Sequence, residues 1–423
     1  MPAGLEGLLG GGLAGMLGGN LDAIWEMPMI QMIAFHPRPE QPAHLGATSG
    51  PIRDGTFDVP GGDRVSYRLF LPAASTEVQA VVLNFHGNAE VCTDIGAVAE
   101  LFHGAGAALL SIDYRGFAWG SGQPKLTTIC SDADACWRAS RQVLEAAGCG
   151  SAKRIVMGRS IGATCAVHLA SRHAADVYGL IVDSGLMSVK QLPMVAMLAP
   201  QVLGKDAAAL FPALKEPFDT LGKLAAVSCP TLVMHGDQDE IVPIAQGVQC
   251  HERCASVDKK LRRWPTAGHN NVNLVAGAEW GKEILALISK AQQFENPFPA
   301  GALVEAHSLS NPTFNGLRGR ILGPQGERVR VDFSDPHGEK ALKPDNLKVI
   351  ERSKPEGDVP DAASGPSPFA VGTLVEAHSL SAPTFNGMRG SVLGLQGDRV
   401  RVQFPEPHGE KALKPENLKA VDS

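Results

Sequence analysis

Near the middle of the chain stands Gly158-Arg159-Ser160-Ile161-Gly162, a serine with a glycine two residues away on either side. Residues 154–157 (Arg-Ile-Val-Met) predict a short buried strand before it, and residues 163–170 predict a helix after it. A strand that enters a helix through one tight turn lifts the serine hydroxyl clear of the backbone, and the glycines let neighbouring chain segments pass close by. This context predicts that Ser160 is a nucleophile.

Two later loops offer the partners that a nucleophilic serine needs. An apolar strand predicted at 230–235 opens into a loop that holds Asp239, and a strand predicted at 260–264 is followed by a loop that holds His269. A serine hydroxyl is a poor nucleophile until an imidazole accepts its proton, and a carboxylate orients the imidazole and stabilises its charged form. We therefore predict Ser160 as nucleophile, His269 as base and then acid, and Asp239 as the orienting acid.

Other residues compete for two of these roles. Asp183 ends the strand predicted at 178–182 and is an alternative acid, while Asp237 shares the loop of Asp239 and is also placed to cap the helix that follows Pro243. Four further histidines lie in predicted helices, where a packed or solvated ring is the ordinary outcome: His103, His168, His173 and His251. The loop position of His269 therefore favours it as the base.

An early strand predicted at 79–85 ends in the sequence His86-Gly87-Asn88-Ala89. Backbone N–H groups aimed at the developing oxyanion lower the barrier of acyl transfer. We predict that the N–H groups of Asn88 and Ile161 form this oxyanion hole, with Gly87 letting the backbone turn inward. His86 is predicted to have a structural role in the loop.

With these motifs in this order, residues 50–292 resemble an α/β-hydrolase-domain serine hydrolase. Within that superfamily they resemble the subgroup with a His-Gly-Asn-Ala loop, which includes membrane-associated protein depalmitoylases. Five segments carry the resemblance, namely His86-Gly87-Asn88-Ala89, Asp113-Tyr114-Arg115-Gly116, Gly158-Arg159-Ser160-Ile161-Gly162, His235-Gly236-Asp237-Gln238-Asp239 and Gly268-His269-Asn270.

The resemblance implies an α/β fold with a mostly parallel sheet covered by helices, and catalysis through an acyl-enzyme intermediate without a cofactor or a metal ion. It implies an acyl ester or thioester substrate, of which a palmitoyl-cysteine on a protein is one example. The same triad chemistry also cleaves amides in related enzymes, so peptide hydrolysis is a further candidate.

The N-terminal region departs from that subgroup, whose members are usually anchored by acylated N-terminal cysteines. Here the first cysteine is Cys92, and residues 1–49 form a leader rich in glycine, alanine and leucine with no basic residue before Arg38. Its longest uncharged run, 7–21, is too short to span a bilayer. We expect the leader either to bind a membrane surface weakly or to pack over the hydrolase mouth, in a cytoplasmic protein that is peripheral to a membrane at most.

Composition narrows the class of protein further. A chain of 423 residues exceeds one ordinary core and predicts several domains. The formal net charge of −6 offers no basic footprint for nucleic acid. All eight cysteines lie in the hydrolase region without C-x-x-C spacing, which favours a reducing compartment over a disulfide scaffold.

The strand pattern lapses in the segment 185–225, which is apolar and rich in methionine. We predict one or two helices here that form a cap over the active site. Methionine side chains adapt to irregular apolar partners, so the same segment is a candidate surface for an acyl chain.

The last third of the chain contains a duplication. Residues 303–350 and 374–421 align without a gap and are identical at 36 of 48 positions. Apolar and charged residues alternate strictly in 328–333 and again in 399–404, the period of a half-buried strand. Turn signals divide each copy into four or five short strands. Each copy therefore resembles a small all-β, SH3-like barrel.

Residues 351–372, rich in proline, glycine, serine and aspartate, predict a flexible linker between the copies. The copies carry balanced charge, and histidines at matching positions are explained by duplication, so we expect neither nucleic acid nor metal there. We predict that residues 303–421 bind a protein or peptide partner, since linked modules gain avidity without new contacts. A pulldown with these residues that retains no protein above background would contradict this.

Two hypotheses for the whole protein follow. In the first, it is an active serine hydrolase that its tandem modules target or regulate. In the second, it is a scaffold whose hydrolase fold binds an acyl ligand without turning it over. The complete set of Ser160, Asp239 and His269 with both oxyanion-hole donors favours the first.

Overall fold

In the computed structural model, eight strands between residues 52 and 264 form one sheet. The strands are β1 (Ile52–Asp58), β2 (Arg64–Phe70), β3 (Ala80–Phe85), β4 (Ala107–Ile112), β5 (Lys153–Arg159), β6 (Val177–Asp183), β7 (Thr231–Gly236) and β8 (Lys259–Trp264). The structure describes residues 21–41, 51–73, 76–203, 211–295, 298, 301–325, 328–334, 336–351, 369, 373–378, 386–396, 399–404 and 410–421.

The order of the strands determines where the loops after β3 and β5 lie. The order is β1-β2-β4-β3-β5-β6-β7-β8, with β2 antiparallel to both of its neighbours and all strands from β4 onward parallel. The chain leaves β3 toward β4 and leaves β5 toward β6, so the connections after these adjacent strands diverge. Such a switch point opens a crevice at the carboxyl ends of the strands.

Helices cover both faces of the sheet. Nine are described: α1 (Pro28–Ala34), α2 (Ala99–His103), α3 (Ile129–Ala146), α4 (Gly162–Arg172), α5 (Pro193–Leu203), α6 (Thr220–Lys223), α7 (Ile244–Arg253), α8 (Val272–Ala276) and α9 (Ala278–Gln293). Helices α3 and α4 pack against one face, and α2 and α9 against the other. Successive residues of the central strands alternate between the two cores, as Leu232, Val233 and Met234 show in β7. Because both faces are buried, β3, β4 and β7 are apolar almost throughout.

This arrangement confirms the predicted mostly parallel sheet covered by helices. Among the helices of the described residues, none combines the length and apolar composition that a membrane span requires. None of the eight cysteines is bonded to another cysteine.

Residues 185–225 hold no strand in their described part. They form a short 3₁₀ turn (Val189–Gln191), α5, α6 and a second 3₁₀ turn (Leu224–Ala226). The part of the predicted cap at 204–210 lies outside the described residues. Buried polar side chains anchor the start of the segment: the Gln246 Oε1 accepts the N–H groups of Met187 and Ser188 at 2.7 and 2.9 Å, and Glu216 accepts the N–H of Val189 at 3.0 Å.

The C-terminal repeats each form an antiparallel sheet of five described strands. The first contains β9 (Leu303–Ala306), β10 (Arg318–Gln325), β11 (Arg328–Asp332), β12 (Glu339–Leu342) and β13 (Leu347–Glu351) in the order β12-β11-β10-β9-β13. The second contains β14 (Leu374–Ala377), β15 (Arg389–Gln396), β16 (Arg399–Gln403), β17 (Glu410–Leu413) and β18 (Leu418–Ala420) in the corresponding order.

Matching positions in the two copies have matching structure. A bulge interrupts the register between Ile321 and Gly323 in the first copy and between Val392 and Gly394 in the second. The residues after 352 form a separate compact unit. All-β modules are therefore present, whereas the SH3-like assignment and the domain boundaries stay predictions. The predicted linker 351–372 lies outside the described residues except at 351 and 369.

A charged cluster joins the two helices on one face of the sheet. Asp134 of α3 accepts hydrogen bonds from the Nε2 of His168 on α4 at 2.9 Å and from the Nε2 of His173 at 2.8 Å. Burial lowers the pKa of His168, but the effects that raise it, of which the hydrogen bond to Asp134 is the largest, together outweigh burial and bring that pKa to about 8. Burial likewise works against the Asp134 carboxylate, yet the two histidines hold its pKa well below its usual range.

We predict that Asp134→Asn destabilises the protein more at pH 6 than at pH 9. The raised pKa of His168 contributes stability fully below the unfolded value of about 6.5, and this contribution is lost as the pH rises through about 8. We expect a loss of Tm of roughly 4 °C at pH 6 and clearly less at pH 9, measured by thermal unfolding. Glu145→Gln, an exposed change on the same helix, is the control. Equal losses at both pH values would show that the charge pairing does not stabilise the fold.

Candidate active site

Ser160 lies at the junction of β5 and α4 in a strained backbone conformation. Its φ is 52°, in the left-handed region that costs a non-glycine residue about 1 kcal/mol or more. A Cβ at Gly158 would lie 2.3 Å from the carbonyl oxygen of Gly162, and one at Gly162 would lie 2.1 Å from the carbonyl oxygen of Phe85. Both positions therefore require glycine, and the close approach of strand and helix holds the serine at the edge of the sheet.

The structure brings together the three residues that the sequence predicts as nucleophile, base and acid. The Nε2 of His269 lies 3.0 Å from the Oγ of Ser160, and its Nδ1 lies 2.8 Å from the Oδ2 of Asp239. A carboxylate only accepts hydrogen bonds, so Nδ1 carries the proton and Nε2 is left to accept the serine hydroxyl proton. All three side chains are buried.

Four hydrogen bonds hold Asp239 as a charged carboxylate. Its Oδ1 accepts the backbone N–H groups of Ile241 at 3.0 Å and Val242 at 2.7 Å. Its Oδ2 faces His269 and also the Nε2 of His235, at 3.2 Å. Burial alone would raise the pKa of Asp239, but the hydrogen bonds from the two histidines hold that pKa below its usual range. These contacts therefore favour the charged form of the acid.

The two alternative acids are engaged elsewhere. The Oδ2 of Asp183 accepts the indole N–H of Trp280 at 3.1 Å, and burial raises the pKa of this carboxyl. The Oδ1 of Asp237 accepts the Nε–H of Arg263 at 2.7 Å at the surface. His269 contacts neither of them among the described hydrogen bonds.

The loop after β3 faces the nucleophile. The side chains or backbones of Asn88, Ser160 and Ile161 line one cavity together. Within the described part of the chain, the backbone N–H groups of Asn88 and Ile161 donate to no protein acceptor. The side chain of Asn88 is turned away to His36, whose backbone N–H donates to its Oδ1 at 2.8 Å. Only the backbone of Asn88 is therefore left to stabilise an oxyanion.

His86 anchors this loop from below. Its Nδ1 lies 2.7 Å from the carbonyl oxygen of Gly87 and its Nε2 lies 3.0 Å from the Oδ1 of Asp113, so both ring nitrogens donate and the ring is charged. Burial lowers the pKa of His86, but the hydrogen bond to Asp113, the charge of that carboxylate and the bond to the Gly87 carbonyl oxygen together outweigh burial, and the pKa is raised. Tyr114 donates to the His86 carbonyl oxygen at 2.6 Å. The His86 ring therefore has a structural role, because it holds the loop in place.

Arg159 ties the oxyanion loop to the loop of the base. One end of its guanidinium pairs with Glu90, whose other oxygen accepts the N–H of Gly87 at 2.7 Å. The other end donates to the carbonyl oxygen of His269 at 3.1 Å and to the Oδ1 of Asn270 at 2.9 Å. One side chain beside the nucleophile thus fixes both loops that flank it.

The nucleophile opens into an apolar cavity. The described residues that line it are all apolar except Asn88 and Ser160. They come from the segment before β1, the loop after β4, the turn after β5, the cap and the loop after β7: Ile24, Trp25, Ile30, Ile33, Ala34, Leu126, Ile161, Leu186, Val189, Leu192, Met194, Val195, Leu198, Ala199, Leu203, Phe211, Leu214, Ile241 and Val242. Cavities of this composition bind apolar small molecules or chains.

Sequence reasoning missed two parts of this site. The sequence left open whether the leader binds a membrane surface or packs over the hydrolase mouth. It did not predict that residues 24–34 line the cavity, because a short apolar helix has no signature of its partner. The role of Arg159 left one signal, since a charged residue at the end of an apolar strand needs an ionic partner when it is half-buried. Of the cap methionines, Met194 lines the cavity, Met187 is buried and Met197 is 65% exposed.

Comparison with known proteins relates the chain to hydrolases. Residues 76–221 match the family described as serine aminopeptidase, S33. The α/β-hydrolase domain-containing protein aho-3 of Caenorhabditis elegans is 29% identical over 257 residues, which cover 59% of this chain and 70% of that protein. The α/β-hydrolase domain-containing protein 17C of Homo sapiens is 31% identical over 196 residues, 45% of this chain and 53% of that protein. The chain thus spans about half the length of the latter relative.

Among solved structures, a soluble variant of the monoglyceride lipase of Saccharomyces cerevisiae in complex with a substrate analog matches 59% of this chain and 98% of its own chain. Its sequence identity is 18% and the TM-score is 0.44. The esterase Pf2001 of Pyrococcus furiosus matches 60% of this chain and 99% of its own, with 17% identity and a TM-score of 0.45.

We predict that Arg159→Gln and Glu90→Gln each lower kcat by about tenfold and change KM little, because they loosen groups that act in the transition state. The double variant should lose no more than the worse single variant, since both changes break one network. Steady-state kinetics on a p-nitrophenyl ester gives kcat and KM for the two single variants and the double variant. Arg263→Gln, which breaks the exposed pair with Asp237, should stay within about twofold of the parent. Additive losses in the double variant would mean that the two residues act separately.

Proposed function

We propose that the chain is a serine hydrolase with the α/β-hydrolase fold, which cleaves acyl esters or thioesters with Ser160, His269 and Asp239. The observation that carries the proposal is the hydrogen-bonded chain from Asp239 through His269 to Ser160 at the mouth of an apolar cavity. A serine, histidine and aspartate in this geometry form a catalytic triad, which activates the serine for attack on a carbonyl carbon.

In the first half of the reaction the Oγ of Ser160 bonds to the acyl carbon while the Nε2 of His269 takes the hydroxyl proton. The carbonyl oxygen becomes an oxyanion, which the N–H groups of Asn88 and Ile161 stabilise. The imidazolium then gives its proton to the leaving alcohol or thiol, and the bond from the acyl carbon to that group breaks. Asp239 stabilises the imidazolium throughout.

In the second half, water attacks the acyl-enzyme while the Nε2 of His269 takes its proton. The same oxyanion hole stabilises the second tetrahedral intermediate. Its collapse breaks the bond from the acyl carbon to the Oγ of Ser160 and returns the proton to the serine. A carboxylic acid leaves and the starting state is restored.

The cavity supports an acyl group as the recognised part of the substrate. Beyond the nucleophile and Asn88, its described lining offers no polar partner, so a polar group buried there would lose its hydrogen bonds to water. An aliphatic chain gains about 0.8 kcal/mol for each methylene that it buries. This supports an apolar acyl chain, with the alcohol or thiol portion toward solvent.

A thioester on a protein cysteine is the finer proposal that the His-Gly-Asn-Ala resemblance implies. A leaving group that stays outside the cavity is compatible with a large protein thiol. The alternative is an acyl-binding scaffold that does not turn its ligand over. The alternative predicts an occupied cavity with an unreactive Ser160.

We predict that a fluorophosphonate probe labels the protein on Ser160 and that Ser160→Ala abolishes both the labelling and the hydrolysis of p-nitrophenyl esters. Asp239→Asn should lower kcat by roughly 10³–10⁴-fold, because the imidazole loses the carboxylate that orients it and balances its charge. Labelling is read by gel fluorescence and hydrolysis by absorbance.

Asp183→Asn is the matched control for Asp239→Asn. The Oδ2 of Asp183 accepts the indole N–H of Trp280, and the amide oxygen of asparagine can accept the same bond, so we expect most of the activity to remain. If the probe does not label the folded parent protein, the result would favour the scaffold hypothesis. Loss of activity in Asp183→Asn but not in Asp239→Asn would reassign the acid.

A further inference from the structure

The segment 22–38 crosses the cavity although it lies before the first strand of the sheet. Ile24, Trp25, Ile30, Ile33 and Ala34 line the same cavity as Ser160. Ile24 and Trp25 are only 4% and 5% exposed, so their burial is that of core residues. This segment is built into the wall of the cavity.

Hydrogen bonds attach the segment at both ends and in the middle. At one end the indole N–H of Trp25 donates to the carbonyl oxygen of Lys215 in the cap at 2.8 Å. In the middle the Oε1 of Gln31 accepts the N–H of Leu126 at 2.9 Å. At the other end, beside the oxyanion loop, His36 makes two contacts of 2.8 Å with the side chain of Asn88.

The anchors give the segment a direction. It begins at the cap, beside Lys215, and ends beside the oxyanion loop, next to Asn88. Between these points lies α1, whose seven residues extend for about 10 Å. The segment therefore borders the cavity between an anchor at the cap and an anchor at the oxyanion loop.

The helix has a cavity face and a solvent face. Ile30, Ile33 and Ala34 face the cavity at the three- and four-residue spacing of one helical side. Met32 lies between them in sequence and is 75% exposed. A substitution on the cavity face changes the shape of the cavity, whereas a substitution on the solvent face changes only the helix. The two effects can therefore be measured separately.

We infer that the segment 24–34 determines which acyl chains the enzyme accepts, with Ile30 and Ile33 as specificity-determining residues. The inference rests on the proposed function, because it assigns the cavity to the acyl chain. A chain that extends from Ser160 into the cavity meets α1, because Ile30 and Ile33 line that cavity. Side-chain volume at Ile30 and Ile33 then limits the chain length, while the bond cleaved and the groups that cleave it stay the same.

The test compares kcat/KM for p-nitrophenyl butanoate, octanoate, dodecanoate and hexadecanoate in the full-length protein. Ile30→Phe should lower the ratio of long-chain to short-chain kcat/KM by about tenfold, because the larger ring occupies space that the chain needs. Ile33→Ala should shift the optimum toward longer chains, because it enlarges the cavity. Met32→Phe, the same kind of change on the solvent face, should leave the profile of the parent protein unchanged.

Two measurements distinguish a failure of the inference from a failure of the proposed function. Fluorophosphonate labelling of Ser160 in every variant reports whether the site is assembled, so a parent that is neither labelled nor active contradicts the proposed function itself. A parent that hydrolyses the esters, with identical chain-length profiles in Ile30→Phe, Ile33→Ala and Met32→Phe, would overturn the inference and leave the proposed function standing. If Ile30→Phe does not fold, Ile33→Ala alone decides, since it removes volume without adding any.

Discussion

The site depends on the close contact between β5 and α4 around Ser160. The backbone of Gly162 lies so near the carbonyl oxygen of Phe85, the last residue of β3, that no side chain fits between them. That contact brings the oxyanion loop beside the nucleophile and keeps Ser160 in its left-handed conformation. A strain of about 1 kcal/mol is small against the buried sheet on which the junction is built. The catalytic geometry is therefore a consequence of packing in the core.

Charged groups also hold the catalytic geometry in place. Asp239 stays ionised in a buried position because two backbone N–H groups and two histidines share its charge. Arg159 extends this organisation, since its guanidinium connects the oxyanion loop with the loop of His269. Buried charges are costly unless they are paired, and here each partner also fixes a loop of the site. The ion pairs position the reacting groups more than they stabilise the fold.

The cavity is assembled from parts of the chain that are far apart in sequence. Residues near 30, the cap between 186 and 214 and the loop after β7 meet over one nucleophile. The sheet and the triad belong to a fold used for many substrates, so substrate choice must lie in the parts added to it. In this protein one of those parts precedes the first strand. The duplicated C-terminal modules are a further addition, and their predicted role in binding a partner stays a prediction.

Local patterns in the sequence were sufficient for the nucleophile turn, the order of the partner loops, most strands of the sheet and the duplication. The turn and the strands are relations between residues within about ten positions, where periodicity and glycine placement carry the information. The order of the loops and the duplication are read from motifs that follow one another or recur along the chain. Which carboxylate His269 contacts, which segment walls the cavity and what Arg159 holds were decided by the tertiary structure alone. Trp25 and Lys215 are 190 positions apart, and His269 and Ser160 are 109 apart. Contacts over such distances depend on how sheet and helices pack, and they leave no period in the sequence from which they could be predicted.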